Sequence, residues 1–399
     1  MLNNLIHKKY IIYGSSIIVA RGLEYFILLF AAGYLAKDSY GDLEFYKKLI
    51  EVFSIVFSFG FPALILSYTK SRDSKKYFYV LACTCTLVIG IITFVTATFF
   101  GYEYIILGMI FYALFFNGGI TPAYILVNAG STYAAYYKIG ISTFFYIILF
   151  LLLYYFEVRG MLYPYGGTIV FSFLIFYIGY FLFKKNIEFK KLKQYWRVFK
   201  RLLISSFTLV ISNFANLMFL YTDIFIIKLI SEDPKIEIAE YSFLLNIAYL
   251  LLFIPLTLIQ VDIDKIKHQK GYVKILNKKI GILVFIASVS IYLVYYFIIG
   301  VFYPEYGDFH VLMGVLLFAN IFQALSPLFG FLTVVQKKFK QNLIVNVVAL
   351  VLNIIISYLL YFKLGLIGLA ISSMLTLIFR YVWLINLVKD YKANELYGS

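Results

Sequence analysis

Arg21, Glu24, Asp223 and Arg380 carry charge inside stretches of this chain that are otherwise largely apolar. A charge at the centre of a bilayer costs about 2.5–3.5 kcal/mol even on the gentler insertion scales, so each needs a buried partner, a wet cavity or a ligand. Arg21 falls 12 residues beyond Lys9, about 18 Å along a helix and near the bilayer midplane. Glu24 follows one turn later on the same face, so the pair either neutralises itself or serves a common ligand. Arg380 lies nine residues before Lys389 and has no acid in its own apolar run. Asp223 falls about 33 Å beyond Arg201 along a helix, high in its crossing. Charges placed in this way belong to binding sites and coupling sites in membranes.

Uncharged polar residues fall at helical spacing on the same segments. Ser205, Thr208, Ser212, Asn216 and Asp223 share one face, as do Asn342, Asn346, Asn353 and Ser357, and again Ser373, Thr376 and Arg380. Lipid satisfies no amide, so these faces point at other helices or at water, as interhelical bonds or as cavity lining. Lys47, Lys48 and Glu51 leave two readings open. The lysines either snorkel to the interface from a helix beginning at residue 49 or join a ligand site. Tyr25, Tyr112, Tyr249 and Tyr358 fall inside crossings, where a ring with a hydroxyl suits a sugar. Bond-making machinery is missing from the sequence: there is no phosphate-binding loop, His7, His268 and His310 are scattered, and no nucleophile stands beside a base. The chain reads as a mover of its substrate and not as an enzyme.

These residues are carried by twelve apolar stretches of about bilayer length. The expected crossings are 11–36, 49–68, 77–100, 105–126, 139–156, 165–183, 202–229, 238–260, 280–301, 311–335, 343–362 and 366–388. With 63% hydrophobic and 14% charged residues, little remains for a soluble domain, so the fold class is an all-α integral membrane protein. The first run is too long for a cleaved leader. Cys83 and Cys85 read as small packing groups in the third run. The net charge of +15 is a topology signal and not a nucleic-acid signal. Basic residues crowd segments 184–201 and 261–279 and the ends of alternate runs, which places both termini in the cytoplasm of a multi-pass membrane protein. The same segments are also suited to lie on anionic headgroups.

The chain also looks duplicated, with six crossings in 1–190 and six in 191–399. Glu24 answers Asp223, Tyr40-Gly41 answers Tyr241-Ser242, Pro62 answers Pro255, and Pro122 answers Pro327. An even number of crossings per repeat predicts two pseudo-symmetric six-helix bundles around an axis along the membrane normal, with a cavity between them. The four prolines are expected as bends, either static or as hinges.

Several stretches resemble the bacterial polysaccharide and O-antigen flippase (Wzx-type) family of the multidrug/oligosaccharidyl-lipid/polysaccharide exporter superfamily. They are the first run into Tyr34-Leu35-Ala36 with Tyr40-Gly41-Asp42-Leu43, and Tyr221-Thr222-Asp223-Ile224-Phe225 with Ile238-Ala239-Glu240-Tyr241-Ser242. Tyr303-Pro304-Glu305-Tyr306 and Gly365-Leu366-Ile367-Gly368-Leu369-Ala370 follow in the same order. The resemblance implies a MATE-like fold in the bacterial inner membrane. It also implies alternating-access transfer of undecaprenyl-diphosphate-linked oligosaccharide from the cytoplasmic to the periplasmic leaflet. Under it, Arg21 and Arg380, with Lys47, Lys48, Asn216, Asn346 and Asn353, would bind the headgroup, guanidinium forks matching phosphate oxygens. Glu24 and Asp223 would take a coupling proton or sodium ion, no other cofactor being implied. Membrane lipids, the polysaccharide polymerase and the chain-length regulator are the implied partners. A departure is that Arg21 and Glu24 stand close enough to quench each other. A cation-coupled multidrug exporter of the same fold and a membrane O-antigen polymerase are the alternatives. The central arginines count against the first, and the lack of a long outside loop against the second.

Overall fold

The computed structural model describes residues 2–68, 71–116, 118–184, 187–262, 265–266, 269, 271–336 and 338–389, and the described residues form helices and connecting turns without a strand. His268, expected only as an isolated histidine, lies outside them, and so do the side chains of Ser205 and Thr208. Contacts divide the chain into two compact units, Met1–Phe214 and Ala215–Ser399. The division falls inside one long helix, Phe189–Ile230, whose first turn contains the expected boundary at 190/191.

The first unit contains α1 (Leu2–Tyr34), α2 (Lys37–Ser58), α3 (Phe61–Tyr68), α4 (Arg72–Thr98), α5 (Glu103–Phe115), α6 (Ile120–Ala129), α7 (Ser131–Tyr154), α8 (Leu162–Lys184) and the start of α9 (Phe189–Ile230). Here α1 packs along α7, α5 lies between α2 and α8, and α3 lies against α6. The α5–α8 crossing is close because two glycines meet there. A Cβ built on Gly167 would stand 3.0 Å from the Gly108 Cα, the small-residue contact that lets membrane helices approach.

Two crossings of this unit are broken. Between α2 and α3 the backbone turns through left-handed conformations at Phe59 (φ 46°) and Gly60 (φ 70°). Between α5 and α6 it turns at Gly118 (φ 79°). Pro62 and Pro122 then stand in the first turns of α3 and α6, where a missing N–H leaves no bond unmade. They therefore begin helical segments and do not kink continuous helices as expected.

The second unit holds the rest of α9, α10 (Pro234–Ala248), α11 (Phe253–Val261), α12 (Tyr272–Val294), α13 (His310–Val335) and α14 (Phe339–Val388). Between α10 and α11 the helix tightens into a 3-10 turn, Tyr249–Leu252, and Pro255 follows in the first turn of α11. Pro327, by contrast, lies inside α13. Pro62 and Pro122 thus follow true breaks, whereas their counterparts Pro255 and Pro327 lie in helix that continues, through a 3-10 turn before Pro255.

α14 bends at Gly365, where φ 58° and ψ −139° are values open to glycine alone. Its two limbs fold against each other, since Ser372 and Thr376 on the second bond to Asn353 on the first. Gly365→Ala should cost about 1–3 kcal/mol, read as a lowered unfolding midpoint of the purified protein in detergent. Among the described residues nine helical stretches are long and apolar enough to cross a membrane, and α14 is one of them. With its limbs counted separately, and with α1 and the broken α2–α3 added, the helices match the twelve expected crossings. The protein is an all-helical, multi-pass membrane protein.

Candidate functional site

Each unit buries a polar cluster, and the two are built differently. In the first, charge is matched by charge. Arg21 on α1 donates through Nη1 to Glu24 Oε2 at 2.7 Å, and Lys47 Nζ on α2 stands 2.8 Å from the other oxygen, Glu24 Oε1. On the same helix, the next residue, Lys48, pairs with Glu44 one turn back, which also accepts from the Tyr40 hydroxyl at 3.2 Å. The side chains of Lys47 and Lys48 are 5% and 1% exposed, whereas that of Arg21 is 43% exposed.

The snorkelling reading of the two lysines is therefore overturned. α2 starts at Lys37 and not at residue 49, so both lie inside it. Hydropathy alone hid this start, because a run of charged residues reads as a loop unless their pairing is known. Breaking a buried pair leaves an uncompensated charge, while removing both partners leaves none. Lys48→Met should lower stability by about 3–5 kcal/mol, and adding Glu44→Gln should recover most of that, measured as unfolding in detergent.

In the second unit the cluster is short of counter-charge. Arg380, on the second limb of α14, is 8% exposed. Its Nη2 donates to Asn216 Oδ1 on α9 at 2.6 Å and its Nη1 to Gln323 Oε1 on α13 at 3.3 Å. The guanidinium carbon stands 5.5 Å from the centre of the Phe219 ring. Nε is buried without a hydrogen-bond partner, and among the described residues no carboxylate forms an ion pair with Arg380.

Seven residues along each helix, about 10.5 Å, the same two faces meet again. Ser373 on α14 donates to Asp223 Oδ2 on α9 at 2.8 Å, Ser357 donates to Oδ1 at 3.3 Å, and the Tyr241 hydroxyl also bonds Oδ2. Asp223 is 4% exposed and meets hydroxyls only; no cation pairs with it among the described residues. Behind it, Asn353 Oδ1 accepts from Ser357, Ser372 and Thr376 at 3.3, 3.0 and 3.2 Å, while its Nδ2 is buried without a partner. A void of about 20 Å³, room for about one water, touches Asp223, Tyr241, Asn320, Gln323 and Ser373.

Members of the three polar stripes, Asn216 and Asp223, Asn353 and Ser357, and Ser373, Thr376 and Arg380, thus gather at two centres, one at Arg380 and one at Asp223. Asn216 belongs to the first. Asn353 belongs to the second. Asn346 is buried on the same limb as Asn353. Of the four tyrosines singled out, Tyr112 is buried with its hydroxyl on that of Tyr163 at 2.7 Å, and Tyr249 donates to Leu220 O at 2.8 Å. Tyr25 is partly buried beside the Arg21 cluster, and Tyr358 is 50% exposed on the outer surface. Gln323 and Glu44 escaped the sequence reading, though each is a polar residue in a helix and Gln323 stands in a run of apolar neighbours.

No protein-family model matches the chain. No curated protein matches it in sequence. Solved structures do match in fold. A structure described as lipid II flippase MurJ in an inward closed conformation aligns with a TM-score of 0.65 at 17% identity, over 95% of this chain and 87% of the other. The eukaryotic MATE transporter AtDTX14 aligns at 0.61 and 13% identity, over 98% and 97%. The MATE multidrug transporter DinF-BH aligns at 0.58 and 13% identity, over 99% and 97%. At these identities the likeness is one of fold, and the chain has the helical architecture of MurJ and the MATE transporters.

Proposed function

From this shared fold we propose that the protein is a flippase for lipid-linked oligosaccharide. It carries repeat units on undecaprenyl diphosphate from the cytoplasmic to the periplasmic leaflet of a bacterial inner membrane. The observation that carries this reading is Arg380, a buried guanidinium held by two amide oxygens and a ring with no carboxylate beside it. Neutral amides orient such a group without cancelling its charge, and its fork matches phosphate oxygens. In the first unit, Arg21 and Lys47 share the carboxylate of Glu24 with Glu51 close by, and part of the Arg21 guanidinium side chain is exposed. Both features favour an anionic headgroup.

Asp223 is the proposed coupling group. It faces three hydroxyls and a void of water size, and no cation compensates it among the described residues. A proton or a monovalent cation arriving from solution would supply what the helices do not. Glu24 has two cations already and suits that role less. A multidrug exporter of the same fold would use Asp223 to hold a cationic drug, but the void beside Asp223 has room for about one water and not for a drug.

The basic segments 184–201 and 261–279 place the termini in the cytoplasm on this reading. Depleting the protein from its own cell tests the function. Undecaprenyl-diphosphate-linked oligosaccharide should build up in the cytoplasmic leaflet while surface polysaccharide declines. Unchanged surface polysaccharide with no build-up would refute the assignment.

A further inference from the structure

On the outer surface of the first unit, α4 and the first turns of α9 enclose an apolar groove of about 660 Å³. Its wall is Leu81, Cys85, Val88 and Ile89 of α4, and its basic end is Lys193 and Trp196 of α9. The start of α9 is fastened to α4 by aromatic contacts. Tyr195 stacks on Tyr77 with ring centres 5.1 Å apart, and Phe199 meets Phe78 edge-on at 5.4 Å. With Tyr195 and Phe199 turned inward, Lys193 and Trp196, three residues apart, share the outward face.

The neighbouring Lys191 is occupied, 2.9 Å from Glu188 and 3.8 Å from Asp73. Lys193 is exposed and, among the described residues, has no carboxylate partner. The groove itself faces lipid, because Val88, Ile91 and Ile92 leave 51%, 62% and 60% of their surface open on a helix that crosses the membrane. From Leu81 to Ile89 the wall runs about 12 Å, a length over which an acyl chain can lie. An amphipathic indole beside an unpaired ammonium marks the headgroup level.

We propose that this groove is a selective site for an anionic phospholipid of the surrounding bilayer. One acyl chain lies along Val88 and Cys85, and the headgroup phosphate rests on Lys193 next to Trp196. Charge complementarity selects the occupant, since a zwitterionic lipid would place its own cation beside Lys193, Lys190 and Arg197. Anionic lipid should be enriched about fivefold over its bulk fraction at the groove, the effect of one basic side chain near a membrane surface.

The chain has two tryptophans, so Trp383→Phe leaves Trp196 as the sole reporter of the groove. The full-length variant is reconstituted into phosphatidylcholine vesicles that also contain phosphatidylglycerol. Either lipid carries brominated acyl chains, at equal mole fraction. Brominated phosphatidylglycerol should quench Trp196 severalfold more than brominated phosphatidylcholine. Lys193→Ala should remove the difference, whereas Lys200→Ala should keep it. The companion variant Trp196→Phe, reporting from Trp383, should show no preference. Equal quenching by the two lipids in the parent would overturn the proposal. So would a preference that survives Lys193→Ala, which would assign the effect to the basic segment as a whole.

Discussion

Arg380→Ala should abolish export of surface polysaccharide while the protein remains in the membrane at its usual level. The substitution removes a cation that is 8% exposed and paired only with the neutral oxygens of Asn216 and Gln323. A charged hydrogen bond contributes about 1.5–3 kcal/mol, so loss of a two-pronged contact to a diphosphate should lower transport by at least about 100-fold. Arg380→Lys should restore only part of it, because a point charge cannot span two phosphate oxygens. Quantifying surface polysaccharide against membrane-inserted protein separates lost function from lost folding. Full export by the alanine variant would remove Arg380 from the binding site.

The second large effect concerns coupling. Asp223→Asn should remove the response of transport to an imposed proton or sodium gradient, and Glu24→Gln should leave that response in place. The reason lies in their surroundings. Glu24 is bridged by Arg21 and Lys47 at 2.7 and 2.8 Å, so its charge is already compensated. Asp223 receives hydroxyls from Tyr241, Ser357 and Ser373 and no cation among the described residues. An asparagine keeps the shape of the site and accepts from the same hydroxyls, but it has no negative charge to exchange for a cation. Transport by reconstituted protein, with and without each gradient, measures this directly. A full gradient response from Asp223→Asn would make Asp223 a structural acceptor for three hydroxyls.

Much of this arrangement was legible in the chain because the bilayer makes charge conspicuous. Arg380 and Asp223 stand out in apolar runs, and helical spacing alone put Asn216 on the face of Asp223 and Ser373 on the face of Arg380. That these faces meet, Asn216 on Arg380 and Ser373 on Asp223, is a tertiary fact that periodicity within one helix cannot supply. The division of residues 339–388 into two limbs was equally legible, since Lys363 interrupts the apolar run there. The start of α2 was not. Its charges are matched across helices and within one turn, and hydropathy counts each as exposed. The breaks at Phe59-Gly60 and at Gly118 were misplaced onto Pro62 and Pro122 for a related reason: a proline signals a boundary as readily as a kink. The preceding Gly60 and Gly118 were the better signal.

The most direct test is flipping by the purified protein in vesicles. Undecaprenyl-diphosphate-linked oligosaccharide is placed in one leaflet and a glycan-modifying reagent outside, and a fluorescent cationic drug is followed in parallel. Intact protein should expose the lipid-linked oligosaccharide to the reagent and Arg380→Ala should not, with little movement of the drug by either. Gradient-driven movement of the drug by the intact protein, with the lipid-linked oligosaccharide left where it was placed, would contradict the flippase assignment and identify an exporter of cations.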